Sequence, residues 1–162
     1  MRAAGALIMT LLLCGCSYSY DVEVSSVGGQ LIFSANPQWG ADCVREIEVE
    51  ADDDTVRAKA NRDDDASSVQ SGTFWQASVA HEDACENHFP LAYGTTLKGR
   101  PWTYETGGLL PNADGQRAPL VAPKELRIEA IYSVHTTTGS TGYGCGRFII
   151  HRDRSVENLR CT

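Results

Sequence analysis

The chain has little positive charge and lacks the short motifs by which many enzyme classes are identified. It carries 14 Lys and Arg residues against 21 Asp and Glu residues, which gives a formal net charge of −7. An acidic surface repels phosphate groups, so we expect no nucleic-acid partner and no electrostatic docking on anionic membranes. The GxSxG sequence of serine esterases is also absent. The sequence therefore offers no support for a serine nucleophile of that type.

Long apolar runs are missing as well. The longest, residues 3–13, has about 11 residues, whereas a helix that spans a membrane needs about 20. A basic residue, Arg2, precedes this run, and small residues follow it. This order is typical of a secretory signal peptide and not of a transmembrane helix.

The end of the apolar run resembles the lipobox of bacterial lipoproteins. Leu13-Cys14-Gly15-Cys16 consists of an aliphatic residue, two small residues and then the cysteine that is acylated in that family. The resemblance implies that residues 1–15 are a lipoprotein signal peptide and that residues 16–20 form a lipidated tether. Two or three acyl chains on Cys16 would anchor the protein stably, since each buried methylene contributes about 0.8 kcal/mol.

Ser17, and not Asp, follows this cysteine. In the pattern of Gram-negative bacteria, this choice implies transport to the outer membrane, and we expect the domain to face the periplasm. The membrane is then the first expected partner, bound through the lipid on Cys16. The alternative is an ordinary secreted protein that is cleaved between Ser17 and Tyr20.

Four cysteines remain for the folded part, which we expect to be a single domain of residues 21–162. An even number of cysteines in an exported protein indicates two disulfides. We predict the pairs Cys43–Cys85 and Cys145–Cys161. The second pair follows from a hairpin predicted around Asp153, which sets its two cysteines opposite each other. A metal site is the competing interpretation, but no CxxC spacing is present, and we expect neither a metal nor a cofactor.

Apolar and polar residues alternate along much of the chain, which predicts β-strands. The clearest segments are 42–51 and 125–135, and in the second the even-numbered residues from Leu126 to Val134 are expected to face the core. The other predicted strands are 20–24, 30–35, 73–79, 147–151 and 155–161. Seven to nine short strands separated by turn sequences predict an all-β antiparallel sandwich, Ig-like or fibronectin-like, with a small partly open β-barrel as the alternative.

Three polar or glycine-rich segments could be mistaken for functional motifs. The acidic runs 52–54 and 63–65 lack the spacing of a calcium loop, so we expect a flexible, charged excursion between strands. In residues 81–88, HEDACENH, the two His are seven residues apart, which does not fit a zinc protease. We expect a solvated loop held by a disulfide. The glycines of 139–148, GSTGYGCGRF, precede a strand, so we expect them to serve a turn and a close approach of backbones.

Aromatic residues in loop-like contexts are the best candidates for a binding surface. Trp39, Trp102 and Tyr104 lie beside Gly and Pro residues, and exposed loop aromatics recur where proteins recognise partners. We therefore expect a non-enzymatic protein that binds an envelope protein or a glycan through these residues. A peptidoglycan-acting or other envelope hydrolase that uses Glu105 and Asp114 is an alternative, provided that the two carboxyls meet in a cleft.

Two further resemblances concern the domain itself. Its tail, from SVHTTTGSTGYGCGRFIIHRD to SVENL, is similar in texture to small, uncharacterised exported proteins of Gram-negative bacteria, a likeness that implies no activity. In outline the chain also resembles the membrane-bound lysozyme inhibitors. In that family a Ser-Gly motif followed by Tyr and a Lys-Gly segment carry inhibition. Here Ser71-Gly72 lacks the Tyr, and Lys98-Gly99 stands alone.

Overall fold

Eight strands and one short helix make up the part of the chain that the computed structural model describes, residues 17–35, 43–102, 120–139 and 141–161. In chain order these are β1 (Tyr18–Val27), β2 (Gln30–Ala35), β3 (Glu46–Ala51), α1 (Ala66–Ser71), β4 (Thr73–Ser78), β5 (Leu91–Ala92), β6 (Ile131–Thr137), β7 (Gly142–Ile150) and β8 (Val156–Leu159). The all-β class predicted from the sequence is confirmed. Among the described residues, no helix is long and apolar enough to cross a membrane.

The strands belong to one sheet with the order β4-β3-β6-β7-β1-β2-β5, and β8 pairs with β7. The sheet curls into a half-barrel, so the partly open barrel is the better description of the two predicted architectures. It is also mixed and not wholly antiparallel. The N-terminal half of β1 runs parallel to β7, with Tyr18 opposite Gly142 and Asp21 opposite Cys145. The rest of β1 pairs antiparallel with β2.

Several strand boundaries differ from those predicted; β3 begins at Glu46 instead of residue 42, and β7 begins at Gly142 instead of residue 147. β1 begins at Tyr18, three residues before the expected start of the domain, because residues 18–20 already pair with β7. β6 begins only at Ile131, since the chain turns at Glu129, whose φ of 61° is incompatible with a continuous strand. As a result Ile128, which was expected to face the core, is 44% exposed.

The concave side of the sheet holds an aromatic core. Phe33 of β2 stacks on Trp75 of β4 with ring centroids 6.0 Å apart, although these two strands lie far from each other in the order of the sheet. Tyr132 stacks on Phe148 at 5.7 Å and meets Phe74 edge-on at 5.2 Å. Such large apolar side chains stabilise a fold by about 1.5–3 kcal/mol each when fully buried.

The glycines of β7 face this core and permit β1 to cross closely over β7. A Cβ added to Gly144 would collide with the ring of Tyr20, and one added to Gly142 would collide with Tyr18. The tyrosine hydroxyls then pair with threonines of β6, Tyr20 with Thr136 at 2.8 Å and Tyr18 with Thr138 at 3.0 Å. A Cβ added to Gly146 would collide with the backbone carbonyl of Val22, so the predicted close approach of backbones occurs there.

Two disulfides fasten the sheet, Cys43–Cys85 and Cys145–Cys161, which is the pairing that the sequence predicted. Their Cα atoms are 5.8 Å and 6.2 Å apart, within the usual range for a disulfide. The first ties the segment before β3 to the loop after β4. The second holds the segment after β8 against the outer face of β7.

Candidate functional site

The open side of the half-barrel is closed by Tyr93, which follows the edge strand β5. Its backbone N–H donates to the carbonyl oxygen of Leu31 in β2 at 2.9 Å. Its hydroxyl oxygen lies 3.1 Å from the carbonyl oxygen of Phe74 in β4 and 2.9 Å from that of Lys124, and accepts the N–H of Lys124 at 3.2 Å. Burial raises the pKa of Tyr93 far above its ordinary value, so the hydroxyl stays a donor at any biological pH.

Directly behind Tyr93, a buried ion pair joins Asp64 to Lys124. The side chains of Asp64 and Lys124 are only 2% and 8% exposed. Asp64 Oδ1 also accepts the backbone N–H of Ala122 at 2.9 Å, and Oδ2 accepts that of Asn61. Burial by itself would raise the pKa of Asp64, but the hydrogen bonds from Lys124, Asn61 and Ala122 outweigh it and lower the pKa. The carboxylate therefore remains charged and pins a long loop to the wall of the half-barrel.

A groove of about 390 Å³ lies at this end of the half-barrel, and we call it the distal groove. Its apolar walls come from Leu31, Leu126 and Ile150, and its rim includes the β1–β2 turn at Gly28 and Gly29. Four separate parts of the chain thus meet here: the β1–β2 hairpin, Tyr93, residues 124–126 and the end of β7 with its following turn. Cavities of this size accommodate small ligands or a few residues of a peptide.

Arg154 is the cationic side chain available on the lining of the distal groove. Lys124 is already paired with Asp64, whereas Arg154 forms no ion pair with any residue that the structure describes. Arg154 also has a φ of 68°, in the left-handed region that Gly or Asn occupies more readily in such turns. An unpaired guanidinium beside apolar walls suits a carboxylate that is attached to an apolar group.

At the other end of the sheet, the acidic side chains of the HEDACENH loop, residues 81–88, pair with Lys98 and Arg100. Arg100 Nε donates to Asp83 Oδ1 at 2.8 Å, and this hydrogen bond raises the pKa of Arg100. Glu82 lies 3.5 Å from Arg100, and Lys98 lies 3.8 Å from Glu86. No cluster of metal-ligating side chains is found within the described ranges. The loop is a network of exposed ion pairs tied down by Cys85.

The acidic runs that were expected to form a flexible excursion are largely engaged in local structure. Asp52 pairs with Arg147 of β7, and Asp54 with Arg57 at 2.8 Å. Asp65 caps the helix α1, since its side chain accepts the N–H of Ser67. The sequence missed α1, whose six residues show no helical periodicity, although an Asp before Ala-Ser-Ser is a recognisable N-cap signal.

A third group of titratable residues lies on the outer face of the sheet. His135 of β6 lies opposite Glu48 in register, and its Nε2 atom is 3.3 Å from Glu50 Oε1. The hydrogen bond with Glu50 raises the pKa of His135. Burial, followed by the charge of Glu48, raises the pKa of Glu46. General acid–base catalysis uses titratable side chains of this kind around a substrate bound in a cleft. His135, Glu46 and Glu50 lie instead on the outer face of the sheet.

The sequence-predicted binding residues are only partly within the described structure. Cys16, Trp39 and Tyr104 lie outside the described residues, as do Glu105 and Asp114 of the hydrolase alternative. Trp102 is half-buried beside the edge of β4, where its backbone N–H donates to the carbonyl oxygen of Ser78 at 3.2 Å.

The connection after Trp102 begins and ends at the same edge. Val121 exchanges two backbone hydrogen bonds of 3.1 Å with Gln76 of β4, two residues along from Ser78. The described residues on either side of this connection therefore lie about 7 Å apart along β4. Trp102 thus lies at one end of this connection, close to the residue at which the described chain resumes.

The two segments compared with the lysozyme inhibitors are separated by the length of β4. Ser71-Gly72 directly precedes that strand, whereas Gly99 contacts Val79 just beyond its end. Six strand residues place the two segments about 20 Å apart. This distance does not favour a single inhibitory site built from both.

Comparisons with known proteins give no match: no family model, no curated protein and no solved structure matches this chain. The interpretation of the site therefore depends on its own geometry. Sequence reasoning missed the distal groove because its lining is distributed over four segments. The local signal that was available is the Gly28-Gly29 turn between two alternating strands, which predicts a hairpin tip but not what packs beside it.

Proposed function

We propose that this chain is a lipid-anchored protein of the bacterial envelope whose domain binds a partner without catalysing a reaction. The lipobox-like sequence Leu13-Cys14-Gly15-Cys16 supports the anchor. The distal groove supports binding, because its lining pairs apolar walls with Arg154.

The observation that carries this proposal is the chemistry of the groove. The hydroxyl of Tyr93 is held by backbone groups, and the ammonium group of Lys124 is held by Asp64. Glu125 and Arg154 are the charged lining residues without an ion pair to another described residue. One exposed acid and one exposed base can select a ligand by charge, and the apolar walls can bury part of it. We propose a partner that presents a carboxylate next to an apolar group, as the end of a protein chain or an acidic glycan does.

Photo-crosslinking in living cells tests the binding surface. A photoreactive residue at Gln30, on the rim of the groove, should trap a partner, and Arg154→Glu in the same chain should abolish the adduct by charge repulsion. The same photoreactive residue at Thr55, which is exposed elsewhere, serves as the control. Equal adducts at both positions, or no effect of Arg154→Glu, would exclude the groove. A partner trapped from Trp102 and not from Gln30 would favour the predicted surface of loop aromatics.

Cell fractionation tests the anchor. Cys16→Ser should move the protein from the membrane fraction to the soluble fraction, because the acylated thiol is lost. Cys14→Ser is the matched control, since the lipobox tolerates a small residue there. If Cys16→Ser stays with the membrane, the lipoprotein assignment is wrong.

A further inference from the structure

We infer that the end of the half-barrel at which β1 begins lies on the lipid head groups, while the distal groove points away from the membrane. The lipid surface would contact the hairpin between β6 and β7 and the exposed ring of Tyr143. This inference rests on the proposed lipid anchor at Cys16. It adds an orientation of the folded domain to that anchor.

The length of the tether is the first argument. Only Ser17 separates Cys16 from Tyr18, the first residue of β1. Two Cα–Cα steps of about 3.8 Å allow a separation of at most about 8 Å. Tyr18 is itself fixed in the sheet, because its N–H donates to the carbonyl oxygen of Thr141 at 2.8 Å. An acyl chain on Cys16 would therefore hold the β6–β7 hairpin close to the bilayer surface.

The chemistry of the hairpin is the second argument. Residues 136–146 contain no Asp, Glu, Lys or Arg, although the chain as a whole is strongly acidic. Tyr143, which is 49% exposed, pairs in register with Ser19 of β1 and so lies beside the anchored strand. Tyrosine is enriched where proteins meet lipid head groups, since its ring is apolar and its hydroxyl is polar. The neighbouring loop 81–88, whose Cys85 is bonded to Cys43 beside Thr138, carries exposed acidic side chains. This end of the domain would therefore meet zwitterionic rather than anionic lipid.

The distance of the opposite end of the sheet from the anchor is the third argument. β1 runs over ten residues from Tyr18 to Val27, which corresponds to about 30 Å. The β1–β2 turn and the distal groove lie at the far end of that strand. The neighbouring turn between β7 and β8 exposes Arg152, Asp153 and Arg154. A partner would thus reach the groove from the aqueous side without competing with the membrane.

Accessibility of single introduced cysteines tests the orientation. Thr141→Cys places an exposed thiol on the hairpin, and Val27→Cys, at a position 63% exposed, is the matched thiol at the far end. The lipidated full-length chain is reconstituted in phosphatidylcholine vesicles and treated with a membrane-impermeant maleimide. The same variants are prepared with Cys16→Ser as soluble references. We expect several-fold slower labelling of Thr141→Cys in vesicles than in its soluble reference, and equal labelling of Val27→Cys in both.

A longer tether provides a second measurement. About ten Gly and Ser residues inserted after Ser17 would let the domain move about 17 Å from the anchor. Labelling of Thr141→Cys should then approach the rate of the soluble reference. Equal labelling of the native-tether and long-tether chains would overturn the inference.

Intact mass and flotation separate the two proposals. A chain without added acyl mass, or one that does not float with vesicles, contradicts the lipid anchor itself. A chain that is acylated and floats, but in which both cysteines react as in solution, keeps the anchor and overturns only the orientation.

Discussion

The two ends of the half-barrel are held together by different kinds of interaction. At the end where β1 begins, Tyr18 and Tyr20 lie against Gly142 and Gly144, so closure depends on the absence of side-chain volume. At the end with the distal groove, closure depends on the charges of the Asp64–Lys124 pair and on the hydroxyl of Tyr93. The contact between β1 and β7 should therefore be sensitive to side-chain size, and the closure beside the distal groove should be sensitive to charge.

This difference also explains why the distal groove lies beside Tyr93 and not between Tyr18, Tyr20 and the glycines of β7. Glycines packed under aromatic rings leave no space, because interiors are packed at crystal-like density. The Asp64–Lys124 pair and the Tyr93 hydroxyl instead hold the strands through a few directional polar contacts. A groove of about 390 Å³ remains beside them.

The largest effect is expected from removing the charge at the groove end. Asp64→Asn leaves the buried ammonium group of Lys124 without a counter-charge, and breaking a buried ion pair in this way costs about 3–5 kcal/mol. Urea denaturation measures the change in the free energy of unfolding. Asp54→Asn, which removes an exposed pair with Arg57, is the control and should cost at most about 1 kcal/mol. Equal costs for the two variants would mean that Asp64 is not structurally special.

The next effect tests the other end through volume. Gly144→Ala places a methyl group against the ring of Tyr20 and the hydroxyl of Thr136, and overpacking of this kind costs about 1–3 kcal/mol. Denaturation of Gly144→Ala, of Tyr20→Leu and of the double variant measures their coupling. The double variant should be more stable than the sum of the single costs predicts, since the smaller side chain makes room. Strict additivity would refute a steric origin.

A smaller effect compares the two tyrosine hydroxyls directly. Tyr93→Phe removes contacts with three backbone groups, whereas Tyr20→Phe removes one contact with a threonine hydroxyl that can rotate. We expect both costs to fall within about 0.5–1.5 kcal/mol, with Tyr93→Phe the larger. Thermal denaturation of the two variants measures the order. If Tyr20→Phe is the more destabilising, the groove end does not depend on Tyr93 as described.

The smallest effect comes from pH alone. The pKa of Asp64 is lowered in the folded state, because its hydrogen bonds outweigh the opposing effect of burial. A carboxyl of this kind contributes stability above its unfolded pKa of about 3.9, and that contribution is lost as the pH falls through the folded pKa.

The free energy of unfolding should therefore decline below about pH 4, and less steeply in Asp64→Asn than in the unmodified chain. Gly144→Ala should retain the full decline, since it leaves Asp64 intact. A series of urea titrations across this range measures the slopes. If the free energy of unfolding declined with the same slope in all three proteins, Asp64 would not contribute to the loss of stability in acid.

Much of the fold could be predicted because alternation is a local property. Residues 30–35 and 73–79 were recognised as strands, since each fits period two within its own few residues. The prediction failed where an isolated backbone angle interrupts a regular pattern. The even-numbered residues of 125–135 suggest one continuous strand, but the turn at Glu129 exposes Ile128. β5, with two residues, is too short to carry any period.

The candidate site was less predictable than the strands. Asp64 and Lys124 are 60 residues apart, and the sequence around each of them does not indicate that they form an ion pair. The aromatic residues that did attract attention were chosen for their loop context, and of these only Trp102 lies within the described structure. Residues that share a face can be identified from local periodicity, whereas residues that share a cavity cannot.

By itself, the sequence determined the all-β class, most of the strands and which cysteines are partners, because alternation and turn chemistry act over a few residues. The lipobox at Leu13 to Cys16 remains a prediction of the sequence about where the protein is attached. Only the tertiary structure decided that β1 runs parallel to β7, that glycines make room for that crossing and that four segments enclose a groove beside Arg154. Strand direction and cavity lining depend on how the whole core packs, and no short stretch of sequence contains that information.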